Sequence, residues 1–142
     1  MSFDERGNWV FGVVTLCSTA AYFGWLLMHA PGSPVAEVQY QVPMLVAIGG
    51  SIIAGILGTI PLALIWREDC DKRDQRDKEI GRFGNHVGNS LVVVGAAAAL
   101  FMAMAAVDHF WIANMIYACC AAGGILGSIT KGLAYRGAFQ RW

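Results

Sequence analysis

Charge is scarce in this sequence. Asp, Glu, Lys and Arg make up 14% of its 142 residues, against roughly 25% in a soluble globular domain. The ten basic and ten acidic side chains cancel, so no global field draws the chain to nucleic acid or to acidic substrates, and no nucleic-acid partner is expected. A glycine-rich phosphate loop, a serine nucleophile elbow and an H-E-x-x-H pair are also missing. No enzyme activity and no cofactor are therefore expected. The four cysteines contain no C-x-x-C and suggest neither a disulfide framework nor a thiol-redox motif. Cys17, Cys119 and Cys120 fall inside apolar runs and read as small packing residues. No carboxylate lies inside a long apolar run. Such a group would mark an ion or proton path, and its lack counts against exporters that depend on a glutamate in their first helix.

What is present in excess is apolar surface, at 56% of the residues, which excludes a disordered chain. The charges are not merely few but segregated. Residues 7–36, 38–66, 83–107 and 110–130 contain no Asp, Glu, Lys or Arg. About 20 apolar residues in a helix cross a ~30 Å hydrocarbon layer, so each run is long enough to span. The expectation is one all-α domain over residues 1–142, an integral membrane four-helix bundle with spans at about 10–28, 42–65, 83–107 and 110–131. A cleaved secretory signal fits the first run poorly, because Asp4-Glu5-Arg6 is not net positive and the apolar run is long.

Orientation follows from the basic residues. All ten lie at Arg6, between Arg67 and Arg82, or at Lys131, Arg136 and Arg141. The excess of Lys and Arg on cytoplasmic loops of membrane proteins predicts an N-in, C-in topology, with residues 67–82 in the cytoplasm. Trp9, Trp66 and Trp142 would then mark the inner interface, and Trp25 and Trp111 the outer one.

Ser2-Phe3-Asp4-Glu5 has capping-box spacing and predicts a short interfacial helix before the first span. Pro43 suits the first turn of the second helix, and Pro61 lies inside it and is expected to kink its cytoplasmic end. Residues 67–82 carry six basic and six acidic side chains. The third helix is expected to begin there, near Asp69 or Asp71, and to run unbroken into the membrane. Arg67, Asp71, Arg73, Asp74, Arg76 and Asp77 form a candidate docking segment whose mixed signs would set register with a partner. Asp108 is placed to cap the fourth helix.

Small residues let helices approach closely where burial of apolar surface gives no gain. Gly84 and Gly88 form one G-x-x-x-G pair and Gly123 and Gly127 another, and Gly95 extends the stripe on the third helix. Ser51, Gly55 and Gly58 do the same on the second. The number of glycines, 17, exceeds what one bundle needs, so a homodimer is expected.

The cytoplasmic third of the third helix carries Asn85, His86, Asn89 and Ser90. Asn85 and Asn89 share one face, His86 and Ser90 the adjacent one. Polar groups at this depth need partners, either other helices or a polar vestibule. On the outer side His29, Glu37, Asp108 and His109 offer imidazole and carboxylate donors of the kind that bind a divalent metal, but without a metal-motif spacing; no metal is assigned. Lys131 is expected to snorkel to the inner interface.

Asp74-Gln75-Arg76-Asp77-Lys78-Glu79-Ile80, the stretch Val107-Asp108-His109-Phe110-Trp111-Ile112-Ala113-Asn114 and the Lys131, Tyr135, Arg136 ending together resemble a family of small bacterial four-span membrane proteins, largely actinobacterial and firmicute. These carry a D-E-R-D-x-x-I segment ahead of the third helix; Gln75 stands where that pattern has glutamate. The resemblance covers about the C-terminal half. It implies a plasma-membrane location and a regulatory or immunity-type role, since the neighbouring gene in such families is often a helix-turn-helix regulator. The expected function is thus non-enzymatic, through protein–protein contacts, as a regulator or accessory subunit; the alternative is a homodimeric channel or transporter for a small solute.

Overall fold

A computed structural model describes residues 3–29, 39–65 and 75–138. They form four long α-helices and, among the described residues, no strand: α1 (Phe3–His29), α2 (Gln41–Ile65), α3 (Gln75–Met104) and α4 (His109–Leu133). The fold is all-α. The shortest of these helices has 25 residues, and at about 1.5 Å per residue it rises about 37 Å, more than a ~30 Å hydrocarbon layer. All four are long and apolar enough to cross a membrane.

Two local expectations are modified, and one lies partly outside the described residues. The chain before the first span is not a separate interfacial helix: α1 is continuous from Phe3. Helix α3 does run unbroken from a charged start into its apolar stretch, but its first described residue is Gln75. The expected start near Asp69 or Asp71 lies outside the described residues, as do Arg67, Asp71, Arg73 and Asp74 of the docking segment and Glu37. Asp108 occupies the N-cap of α4, yet its side chain makes no capping bond. Its backbone carbonyl accepts instead from Trp111 N at 3.0 Å, so the helix is nucleated by main chain alone.

The α3–α4 turn is short because α3 stops in a defined way. Ala106 N–H donates to Ala103 O at 3.1 Å and Val107 N–H to Met102 O at 3.0 Å, and Ala106 has φ of 53°. This is the paired-bond, left-handed termination that glycine usually supplies. An L-residue in that conformation costs roughly 1–2 kcal/mol. Helix α4 ends differently, widening into a π turn over Ala134–Ala138. Helix α2 continues through Pro61 to Ile65, and Pro43 falls in its first turn as expected.

The helices follow the order α2–α1–α4–α3, antiparallel at each step. The most extensive contact is between α3 and α4, followed by α1 with α2 and α1 with α4. Helices α2 and α3, at the two ends of this order, scarcely touch, so among the described residues the bundle is open along one seam.

Glycine sets the α3–α4 seam. A β-carbon on Gly88 would sit 2.6 Å from the Gly123 carbonyl oxygen, and one on Gly127 would sit 3.0 Å from the Gly84 carbonyl oxygen. At Gly95 it would overlap the Cys119 side chain, and at Gly84 the Lys131 stem. Both G-x-x-x-G pairs are therefore used within the chain. On α2, Gly58 receives Val10 of α1, with a β-carbon only 2.6 Å from Val10 Cγ1. Polar bonds add register. Ser18 Oγ donates to Ala47 O at 2.7 Å across α1–α2, and Asn8 Nδ2 donates to Ser128 O at 2.8 Å across α1–α4.

Most large apolar side chains point outward; Leu45 is 68% and Leu64 73% exposed. None of the apolar window of α2 is buried. The described helices also segregate charge: Arg6, Lys78, Arg82, Lys131 and Arg136 all lie toward the end of the bundle where α1 and α3 start and α4 finishes.

The seam predicts a graded response to substitution. Gly88→Leu and Gly123→Val should each destabilise by about 1–3 kcal/mol through overpacking, while Gly24→Ala, with open space around it, should be neutral or stabilising. Ala106→Gly should stabilise by about 1 kcal/mol by relieving the left-handed turn. Unfolding midpoints in detergent, followed by circular dichroism, check all four.

Candidate functional site

The charged end of the bundle contains a recess of about 540 Å3. All four helices contribute to its wall. Asn8 and Phe11 come from α1, Thr59 from α2, and Lys131 from α4, with Tyr135 from the following turn. Helix α3 supplies Asp77, Lys78, Arg82 and Asn85. Three of these stand at i, i+4 and i+7 (Lys78, Arg82, Asn85), which is one helical stripe. Helices α2 and α3, which both line it, scarcely touch, and the buried Asn8–Ser128 bond joins α1 to α4 beside it.

A smaller groove of about 220 Å3 continues from it along α3 and α4, sharing Asn85, Lys131 and Phe11 and reaching Asn89, Val92 and Cys120. Val92 and Cys120 open in turn on an apolar groove of about 310 Å3 beside Leu100 and Ile112. On the other side, Phe11 and Cys120 border a groove of about 440 Å3 between α1, α2 and α4. The serine and threonine hydroxyls there are each bonded to a backbone carbonyl: Thr15 to Phe11 O, Thr19 to Thr15 O, Ser18 to Ala47 O and Ser51 to Ile48 O, at 2.7–2.8 Å. Hydroxyls bonded in this way leave a groove that behaves as apolar. The sequence of spaces is thus polar at the charged end and apolar beyond.

The sequence-derived patch divides. Asn85 and Asn89 line the recess and its groove. His86 and Ser90 lie on the exposed outer side of α3, where Ser90 Oγ donates to Val87 O of its own helix at 2.7 Å. A rotation of 100° per residue separates neighbours that are consecutive in sequence. Of the docking segment, Asp77 is half-buried in the recess wall and the other described member, Arg76, lies in the first turn of α3. Lys131 is half-buried, its stem lying across Gly84, so the aliphatic part packs on helix while the residue reaches the recess.

Asn8 and Thr59 were not singled out from the sequence, and Lys78, Arg82 and Tyr135 were read there only within a charged segment or a resemblance, not as parts of one site. The i, i+4, i+7 spacing of Lys78, Arg82 and Asn85 was a usable signal; Thr59 and Tyr135 had none, because only tertiary packing brings them there. A second buried polar contact also escaped the sequence reading. Tyr22 Oη donates to Asn114 Oδ1 at 2.8 Å, and Asn114 Nδ2 donates to Phe110 O at 2.9 Å. Tyr22 is 2% exposed and meets Tyr117 edge to face at 5.0 Å between centroids.

At the opposite end His29 stacks on Trp25 with ring centroids 4.3 Å apart, and its Nδ1 lies 2.9 Å from Trp25 O. Among the described residues, no three His, Cys, Asp or Glu side chains come together as a metal site would require; the fourth candidate, Glu37, lies outside them. Asp108 and His109 sit at the start of α4, both exposed. No family model, curated protein or solved structure matches the chain.

The two polar sites should behave differently. Tyr22→Phe should cost about 0.6–1.7 kcal/mol, the range for interhelical hydrogen bonds in membrane bundles. Asn85→Leu and Asn89→Leu, both at exposed positions, should stay within about 0.5 kcal/mol of the parent. Denaturation of the three variants in the same detergent makes the comparison.

Proposed function

We propose that the protein is a multi-pass protein of a bacterial plasma membrane, with both termini and residues 67–82 on the cytoplasmic side, acting as a homodimer through protein–protein contacts and not as a catalyst. The orientation is supported by the gathering of the described Lys and Arg residues at one end of the bundle. Trp9 lies at that same end beneath Arg136, 5.9 Å from ring centroid to guanidinium carbon, and Trp25 and Trp111 lie toward the other.

The observation that carries the interaction reading is the state of α2. No residue of its apolar window is fully buried, it packs mainly on α1, and Gly49, Gly50 and Gly55 have open space where a β-carbon would be. Exposed small residues on an apolar helix permit close approach of another helix. The occupant that fits is α2 of a second copy. The charged segment from Arg67 to Asp77 then presents two copies of a mixed-sign surface to a cytoplasmic or membrane partner. The resemblance to small four-span proteins found beside regulator genes supports a regulatory, immunity-type or accessory role.

The alternative, a homodimeric channel or transporter for a small solute, is supported by the recess and by Asn85 and Asn89 along its groove. The apolar character of the farther grooves favours the interaction reading.

Two differently tagged copies expressed together should co-purify in mild detergent. Gly50→Leu should weaken the dimer by about tenfold, equivalent to about 1.4 kcal/mol. A monomeric parent, or a dimer indifferent to every substitution on α2, would remove the homodimer. Arg67→Glu combined with Arg73→Glu and Arg76→Glu should abolish recovery of the cytoplasmic partner from native membranes. In liposomes, solute flux above the protein-free background that disappears in Asn89→Leu would favour the transporter instead.

A further inference from the structure

The recess at the charged end and the grooves beyond it form one graded space. Among the described residues its wall carries Lys78, Arg82 and Lys131 and the carboxylate of Asp77, three basic groups to one acidic. The amide of Asn85 adds a donor, whereas the Asn8 amide and the Thr59 hydroxyl donate to Ser128 O and to Gly55 O and Ile56 O. Its volume, about 540 Å3, lies within the roughly 300–1,000 Å3 of ligand sites. Next along the space comes Asn89 and then the apolar walls of Val92, Ala96 and Leu100 on α3 and Ile112 and Ile116 on α4. Charge thus comes first, then amides, then hydrocarbon.

We infer that the open seam between α2 and α3 binds a phospholipid with an anionic headgroup. The phosphate diester and its polar headgroup occupy the recess, facing Lys78, Arg82 and Lys131. The ester carbonyls accept from Asn85 and Asn89, and one acyl chain follows Val92 toward Leu100. Three observations support this occupant. The apolar run of α3 begins at Phe83, which puts Lys78 and Arg82 at the depth of a headgroup layer. The charge of the wall is complementary to a phosphodiester. The apolar continuation has no use for a free inorganic anion, whereas an acyl chain fills it. The assignment rests on the membrane reading above and gives a ligand to the seam that the bundle leaves open.

The test uses the full chain purified in mild detergent and equilibrated with mixed vesicles of phosphatidylglycerol and phosphatidylcholine in equal amounts. Lipid retained after gel filtration is then measured. The parent should retain phosphatidylglycerol over phosphatidylcholine by several-fold. Arg82→Gln and Lys78→Gln, at exposed positions that do not threaten folding, should bring the ratio near unity. Arg136→Gln, outside the recess, should leave it unchanged. Val92→Trp, which fills the chain groove, should lower retention of both lipids. Equal retention of the two lipids by the parent would overturn the proposal. So would an Arg82→Gln, Lys78→Gln double variant with the parental ratio. Displacement of phosphatidylglycerol by inorganic phosphate would overturn it in favour of a free-anion site. Extraction with alkaline carbonate separates the two levels. A chain that stays in the membrane pellet without lipid preference loses only this site, whereas a chain released by carbonate loses the membrane reading itself.

Discussion

The contact between α3 and α4 is the one on which the rest of the arrangement depends. At Gly88 with Gly123, and Gly84 with Gly127, backbone meets backbone with no room for a β-carbon. For helices as apolar as these, exclusion of water gives little reason to prefer one neighbour over another, and close van der Waals approach decides instead. The two helices follow each other through a turn so short that Ala106 adopts a left-handed conformation. Proximity and fit therefore act together, and α3 and α4 behave as one unit.

The other helices attach to that unit in sequence. Helix α1 docks on α4 through the Asn8–Ser128 bond at one end and the Tyr22–Asn114 bond toward the other. These are two polar points, well separated, that fix both tilt and register. Helix α2 is attached mainly to α1, with Val10 against Gly58 and a hydroxyl bond to Ala47 O. Both attachments use a smaller contact than that between α3 and α4. The consequence is an asymmetric molecule. One edge, α3, is rigidly held, and the other, α2, is the helix most available to something outside the chain. The seam between them is open, and its charged end is the part of the structure with the most chemistry.

Much of this was legible in the residues, and the boundary of legibility has a physical cause. The four helices follow from charge-free runs, since a run that long has few structures other than a helix to satisfy its backbone. The stripes of Gly84, Gly88 and Gly95 and of Gly123 and Gly127 were visible as spacing. That they face each other, and are not left for a second subunit, depends on the α3–α4 turn and could not be read from spacing. The polar patch was half legible: Asn85 and Asn89 do share a groove, but His86 and Ser90 face away. The recess wall was largely illegible, because Asn8, Thr59 and Tyr135 are separated by tens of residues and carry no common motif. Tyr22 and Asn114 were hidden for the same reason.

What the sequence by itself determined is the kind of molecule: all-α, with four helices long and apolar enough to cross a membrane, and its basic residues confined to three places. These are properties of single segments, set by composition and by a rise of about 1.5 Å per residue, so no knowledge of neighbours is needed. What only the tertiary structure decided is which faces are consumed and which remain. A glycine stripe reads the same whether it meets its own chain or another, and a lysine reads the same whether it faces solvent or a recess. Pairing of α3 with α4 consumed two stripes, left α2 and the seam beside it uncovered, and gathered Asn8, Lys78, Arg82 and Lys131 around one space. That outcome is a property of helix order, which depends on contacts between segments and not on the segments themselves.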